Sequence, residues 1–196
     1  MRILAAILFL FASLNSFAAK NGEAAPAFSL KSASGKTVSL ADFKGKIVVL
    51  EWLNHGCPFV RKHYDSGNMQ ALQKKYTGKD IVWLSIISSA EGKQGYVDEK
   101  GATKDKESNK SFATEILLDP TGATGKAYEA KTTPHMFIID KNQTLVYQGG
   151  IDNIPDAEKE SIKSAKNFIA AGLDEMLAGK KITAANTKSY GCGVKY

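Results

Sequence analysis

The chain is poor in cysteine: Cys57 and Cys192 are the only two in 196 residues. That excludes a disulfide-dense scaffold and leaves a single intramolecular pairing. Five prolines and 17 glycines are too few for a collagenous or low-complexity chain. Beyond the amino terminus no apolar run approaches the roughly 20 residues of a membrane span, so stable membrane insertion is not expected. Blocks of one charge sign are missing too, because 26 Lys and Arg are interleaved with 20 Asp and Glu for a net charge of +6. No zinc-finger spacing, aromatic-basic stripe or helix-turn-helix pattern accompanies that charge, which excludes nucleic acid as the expected partner. What is present, 43% hydrophobic and 23% charged residues, is ordinary for one folded domain. At about 150 to 200 residues such a domain buries roughly two-thirds of its extended-chain surface, enough for a core without staples.

Residues 1–18 read as an export signal: Arg2, an apolar run from Ile3 to Leu14, then small residues at Ser16 and Ala18, with cleavage after Ala18. A retained anchor is the alternative; no cysteine stands at the cleavage site to carry a lipid. Export to a periplasmic or secreted location places both thiols in an oxidising compartment, where they either pair or exchange electrons. The domain is expected over residues 19–180, followed by a polar tail, 181–196, that carries Cys192.

Phe28 to Lys31 and Lys36 to Val38 read as a hairpin, followed by a short helix after Ser39. Ile47 to Leu53 is a continuous apolar run broken only by Glu51, the pattern of a central strand covered on both faces. A helix is expected from Pro58 to about Tyr76, strands at Ile81 to Ile87 and Glu115 to Asp119, and a short helix from Gly122 to Tyr128. The charged stretch from Ser88 to Phe112 reads as a partly helical surface excursion. A hairpin joins His135 to Ile139 with Leu145 to Gln148, and Ala157 to Leu177 has helical apolar spacing. This order implies an α/β fold, a mixed central sheet with parallel inner strands and an antiparallel edge, flanked by helices.

Cys57 stands between a buried strand and a helix start, with Gly56 before it and Pro58 at the first helical position. Unpaired backbone N–H groups and the helix dipole favour negative charge there, and such placement takes a thiol from about 8.5 to roughly 3.5 to 7.5. The alternative is a small buried hydrophobe.

Ala25-Pro26-Ala27-Phe28-Ser29-Leu30, Gly35-Lys36-Thr37-Val38-Ser39-Leu40 and Phe43-Lys44-Gly45-Lys46-Ile47-Val48-Val49-Leu50, together with Thr132-Thr133-Pro134 ahead of His135 to Asp140, carry a resemblance. Over roughly residues 21–178 the chain resembles the thioredoxin-fold redoxins, the group of alkyl hydroperoxide reductases and periplasmic thiol-disulfide oxidoreductases. The resemblance implies a thioredoxin-like fold with an amino-terminal hairpin and an inserted βα segment. It also implies a cis Pro134 beside Cys57, with Pro58, Thr133 and Pro134 lining the substrate groove, and a buried Glu51 that exchanges protons with a thiol. A trans turn at Pro134 and a solvent-facing Glu51 are the alternatives.

Three departures narrow that resemblance. Val60 stands where the second thiol of Cys-x-x-Cys belongs. Leu50 and Asn54 replace the Pro and Thr of the peroxiredoxin pattern Pro-x-x-x-Thr-x-x-Cys, and Pro134 falls near the place of the peroxide-activating Arg. The chain is thus similar to peroxiredoxin-like proteins with a single cysteine aligned to the nucleophilic cysteine of thioredoxin. Cys192, flanked by Gly191 and Gly193, is the one internal thiol that can resolve a mixed disulfide. A purely structural Cys57–Cys192 bond is the alternative, closing a loop of about 135 residues and worth about 4 to 5 kcal/mol in the chain-entropy model.

Three functions remain open on the sequence. The leading one is a thiol-disulfide oxidoreductase needing no cofactor, with Cys57 as nucleophile, Glu51 managing protons and Cys192 resolving; its partners are protein or small-molecule thiols and disulfides and an unidentified electron donor. A thiol peroxidase with an antioxidant role, in which Cys57 is oxidised to a sulfenic acid, is the second. The third is a non-enzymatic metal carrier using Cys57 with His55 and His135, a donor set that suits copper or zinc. Without metal, a protonated His55 can also stabilise the thiolate, and His63 is expected to point elsewhere.

Overall fold

The computed structural model describes residues 19–196, so the export signal read in residues 1–18 lies outside the described residues. The amino-terminal hairpin forms from β1 (Ser29–Ser32) and β2 (Thr37–Ser39), and a short 3-10 turn follows at Leu40–Phe43. Next come β3 (Val48–Trp52), α1 (Pro58–Asp65), α2 (Asn68–Thr77), β4 (Val82–Ile87), α3 (Glu99–Ser108) and β5 (Glu115–Leu118). The second half holds α4 (Ala123–Ala127), β6 (Thr132–Thr133), β7 (His135–Ile139), β8 (Leu145–Gly149), α5 (Phe168–Leu177) and β9 (Cys192–Gly193).

Seven strands make one sheet in the order β2-β1-β5-β4-β3-β7-β8. β3, β4 and β5 run parallel at its centre; β7 is antiparallel to β3, and β1 to β5. The side chains of β3 alternate between two cores. Val48, Leu50 and Trp52 pack with Leu84, Phe137 and Tyr128 on one face. Val49 and Leu53 pack with Val60, Tyr64 and Tyr76 of α1 and α2 and with Ile169 and Leu173 of α5 on the other. Leu50 and Trp83 have no exposed surface, and full burial of each large apolar side chain stabilises by about 1.5 to 3 kcal/mol. This is the thioredoxin-like α/β fold, with the expected hairpin at one edge and the β4–α3–β5 segment carrying the inserted helix.

Two helices differ from expectation. The one expected over 58–76 is two, because Gly67 adopts a left-handed φ of 77° and starts α2 in a new direction. The one expected over 157–177 begins only at Phe168, where Asn167 accepts a bond from the Ala170 amide at 2.8 Å. Asp156 accepts from the Glu158 amide, the Ser161 hydroxyl and the Lys62 ammonium, and Asn153 accepts from the Lys166 amide. These side-chain acceptors hold 159–163 as a separate 3-10 turn.

Residues 181–196 do not trail away from the domain. Thr187 donates its amide to Gln148 of β8, Val194 donates to Lys131, and the Lys195 carbonyl accepts from Ala90. The tail seats where the body offers no side chain. A Cβ on Gly149 would lie 2.2 Å from the Thr187 hydroxyl, and one on Gly122 would lie 2.4 Å from the Tyr196 ring. Gly149→Ala should therefore cost about 1 to 3 kcal/mol through overpacking, while Gly193→Ala, with nothing near its Cβ, should cost under about 1 kcal/mol. Urea unfolding of both variants measures the difference.

Candidate active site

The turn after β3 is tied before it reaches the sulfur. Asn54 accepts from the Gly56 amide at 2.8 Å and donates to the Gln94 carbonyl at 3.2 Å, and the Gln94 amide returns a bond to the Gly56 carbonyl at 3.1 Å. Cys57 is the N-cap of α1, and Pro58 occupies its first turn as expected. Opposite stands the Thr133–Pro134 peptide, which is cis. The Cys57 thiol donates to the Thr133 carbonyl at 3.0 Å. Cys57, Thr133 and Pro134 are thus brought together as the sequence implied.

Cys192 joins them through the backbone. β9 pairs antiparallel with β6, setting Thr133 opposite Cys192 and Thr132 opposite Gly193. Gly191 makes the approach feasible, since a Cβ there would sit 2.1 Å from the Thr133 carbonyl oxygen. Cys57 donates to the Thr133 carbonyl and Cys192 stands opposite Thr133, so the two unbonded thiols share one neighbour, Cys57 fully buried and Cys192 partly exposed. Their proton affinities move apart. Burial opposes ionisation of Cys57, but the polar groups of Cys192, Thr133 and Val60 around it outweigh burial and lower its pKa. Cys192 is pushed up to about 11 by burial, by its bond to the Cys57 sulfur and by that sulfur's charge. The Thr133 hydroxyl itself is buried with no hydrogen-bond partner.

Glu51 points into the helical side of the sheet and is fully buried. Its Oε1 accepts from Tyr64 at 2.9 Å; its Oε2 accepts from Trp83 at 2.8 Å, Ser85 at 2.9 Å and Gln73 at 3.2 Å. Burial raises its pKa against those four donors. The solvent-facing alternative is therefore wrong. None of these bonds reaches Cys57, so the carboxyl lies within the same layer as the thiol without touching it.

The histidines depart from expectation. The His55 ring packs edge-on against Tyr64 at 4.8 Å, and burial followed by the charge of Arg61 lowers it to about 4. It is neutral near pH 7 and supplies no cation to the thiolate, because burial disfavours the charged ring. His135 packs on Phe137 with its Nδ1 accepting from the Lys131 amide, and burial lowers it also to about 4. Among the described residues no cluster of three His, Cys, Asp or Glu can hold a metal, so Cys57, His55 and His135 are not gathered as the carrier reading required.

Sequence reasoning missed the tail's anchor. Tyr190 donates to Asp152 at 2.6 Å and meets His63 Nε2 at 3.2 Å, while Asn68 bonds His63 Nδ1 at 2.8 Å. His63 does point away from the sulfur, as expected, but it holds the segment that delivers Cys192. The available signal was the pair of aromatics, Tyr190 and Tyr196, in an otherwise polar tail.

A helix-capping cysteine facing a cis-proline loop on this sheet defines the class of thioredoxin-like redoxins. The AhpC/TSA family model matches residues 21–148, and the chain belongs to that family. It is therefore an oxidoreductase of thiol-disulfide or peroxide chemistry. It is 32% identical over 126 residues to "Thioredoxin-like protein YneN" of Bacillus subtilis, a match spanning 64% of this chain and 69% of that protein. A conserved protein from Geobacillus kaustophilus superposes with a TM-score of 0.75 at 28% identity, covering 90% of this chain and 92% of its own. The exposed lipoprotein thioredoxin Etrx1 of Streptococcus pneumoniae gives 0.50 at 26% identity, covering 71% and 96%.

Removing the polar group of either Cys192 or Thr133 should make Cys57 harder to ionise. In Cys192→Ala and in Thr133→Val, the pH midpoint of thiolate absorbance at Cys57 should move upward; a midpoint unchanged in both variants contradicts the assignment. Glu51 yields a second expectation. Because its folded pKa is raised above 4.5, its protonation contributes stability that is full below the unfolded value and is lost as pH rises through the folded one. Relative to Glu51→Gln, the wild type should lose ground in urea unfolding as pH rises above about 4.5; a gap that stays constant with pH would contradict the raised pKa.

Proposed function

We propose that the protein is an exported thiol-disulfide oxidoreductase that reduces disulfides with Cys57 as nucleophile and Cys192 as resolving thiol. The observation that carries this reading is the placing of Cys192 opposite Thr133 in the β6–β9 ladder, beside the carbonyl to which Cys57 donates, with one thiol of lowered and one of raised proton affinity. The Cys57 thiolate attacks a substrate disulfide, forms a mixed disulfide and expels one substrate thiolate. Neutralising Cys57 in this way removes the charge that held the Cys192 proton. That proton passes to a departing thiolate, and Cys192 attacks the Cys57 sulfur, releasing the second substrate thiol. Two electrons have moved to the substrate and a Cys57–Cys192 disulfide remains, to be reduced by a donor thiol.

Thr133, Pro134 and Pro58 border the sulfur and are assigned to substrate alignment. Glu51 enters as a buried protonatable group in the same layer; no bond joins it to Cys57, so its exchange with the sulfur runs through an intervening group. Disulfide chemistry is favoured over peroxide activation because Asn54, in the place of the activating Thr, spends its side chain on Gly56 and Gln94, and Arg61 pairs with Asp65 at 2.8 Å. Export rests on the pattern of residues 1–18 and on the likeness to a lipoprotein described as exposed.

Cys57→Ser should abolish turnover of a disulfide substrate, and Cys192→Ser should stop after one attack with substrate linked to Cys57. Retained turnover in Cys57→Ser removes this mechanism. Consumption of hydrogen peroxide faster than of any disulfide would replace it with the peroxidase reading.

A further inference from the structure

We propose that the end of the domain opposite Cys57 is a docking face for an anionic lipid bilayer, which the protein meets at the headgroup surface without crossing it. The inference is independent of the thiol chemistry at Cys57 and Cys192.

Topology sets this face at the far end of the sheet. Cys57 follows β3 and the Thr133–Pro134 loop precedes β7, and Trp52 at the end of β3 pairs with His135 at the start of β7. Gly45 to Ile47 precede β3, Lys79 to Ile81 precede the parallel β4, and Lys141 follows β7, whose Ile139 pairs with Val48. The carboxyl end of α5 joins them there. One groove of about 250 Å³ is lined by Lys46, Lys79 and Lys141 together with Met176 and Leu177. A second, of about 490 Å³, shares Met176 and adds Val146, Ile182, Lys180 and Lys181.

Positive charge and apolar surface coincide on this face. The carboxylates beside it are already engaged: Asp80 with Lys46 at 2.7 Å, Asp174 with Lys75 at 2.9 Å, Asp140 with the Asn142 and Thr144 amides, and Glu175 with Thr183. Lys79, Lys141, Lys180 and Lys181 form no ion pair among the described residues. Next to them Leu177, a large apolar side chain, is left 43% exposed at the end of α5. Binding of a folded surface to a bilayer draws on these two contributions, apolar contact at the headgroup boundary and attraction of cations to anionic lipid. Lysine stems lie along apolar surface while their ammonium heads reach outward, so flexible cations and Leu177 can meet one surface together.

The kind of cation selects the partner. Every cation lining the two grooves is lysine. Arginine is enriched at protein interfaces and lysine is depleted there, whereas a headgroup layer asks only for mobile point charges. Lipid is therefore favoured over an acidic protein. Docked by this end, the protein turns Cys57 and Cys192 away from the membrane, toward substrates in the aqueous compartment.

Full-length protein is sedimented with vesicles of equal parts phosphatidylglycerol and phosphatidylcholine, and with vesicles of phosphatidylcholine alone. Binding is expected on the first, not on the second, and should be lost at about 0.5 M salt. Lys141→Gln combined with Lys180→Gln should weaken it about thirtyfold, from about fivefold for each cation. Lys31→Gln combined with Lys100→Gln, in a different groove beside β1, should leave it within about twofold. Equal binding to both vesicles, equal loss in both lysine pairs, or capture by polyglutamate with none by vesicles overturns the proposal. On vesicles Cys192 should keep its rate of reaction with a membrane-impermeant maleimide; its protection would put the opposite end on the lipid and overturn the proposal too. Cys57→Ser should bind vesicles as the wild type does, so a failure of the disulfide mechanism and a failure of docking are read separately.

Discussion

A sulfur anion with no contact to water needs donors, and at Cys57 the most consequential donor comes from the far end of the chain. Val60 and Thr133 are local to the helix start and the cis-proline loop, but the thiol and amide of Cys192 arrive through β9. The same contact that lowers one proton affinity raises the other. The opposite shifts of the two thiols therefore come from one juxtaposition rather than from two separate environments. The docking of the tail, and the glycines that let it dock, are part of the electrostatics of the site.

Glu51 shows the opposite balance. It collects four donors, more side-chain partners than Cys57, yet its pKa is raised because desolvation of a compact carboxylate outweighs them. Those donors come from α1, α2 and β4, and Gln73 extends the network by accepting from the Phe112 amide at 2.8 Å. The carboxyl thus joins strand, helices and the loop after α3 beneath the site. Removing one donor leaves a buried polar atom unsatisfied, which costs about 1 to 3 kcal/mol, so the geometry around Glu51 is strongly specified whatever its protonation.

Much of this was legible in the residues because it is local. The apolar runs of β3 and β4, the single carboxyl within β3, the cysteine ahead of Pro58 and the Thr-Thr-Pro before β7 each announce themselves within a few positions. The late start of α5 was not legible, since its cause is Asp156 meeting Lys62 from another element. His55 misled for a related reason: two residues from Cys57 along the chain, its ring turns to Tyr64 instead. The tail read as polar and detached because its anchors are sparse and their seats lie elsewhere, at Gly122, Gly125 and Gly149. No periodicity links Tyr196 to Gly122.

Placing the second thiol at the carboxyl end has a thermodynamic consequence that a Cys-x-x-Cys turn lacks. Val60, at the position of that missing cysteine, is fully buried in the helical core, so α1 uses it for packing, and its amide donates to the Cys57 carbonyl at 3.1 Å. Cys192 instead meets Cys57 at an effective concentration set by the docked tail, and whatever weakens docking lowers that concentration. For the proposed Cys57–Cys192 bond, linkage runs both ways: oxidation would stabilise the docked tail by the same free energy with which docking favours oxidation. Tyr190 and Tyr196 hold the tail in place, so under the proposed mechanism they would contribute to the reduction potential of the pair through this coupling. In a redoxin whose partner cysteine lies within one helical turn, the potential is largely a property of that turn; here it is a property of the folded chain from β6 to its last residue.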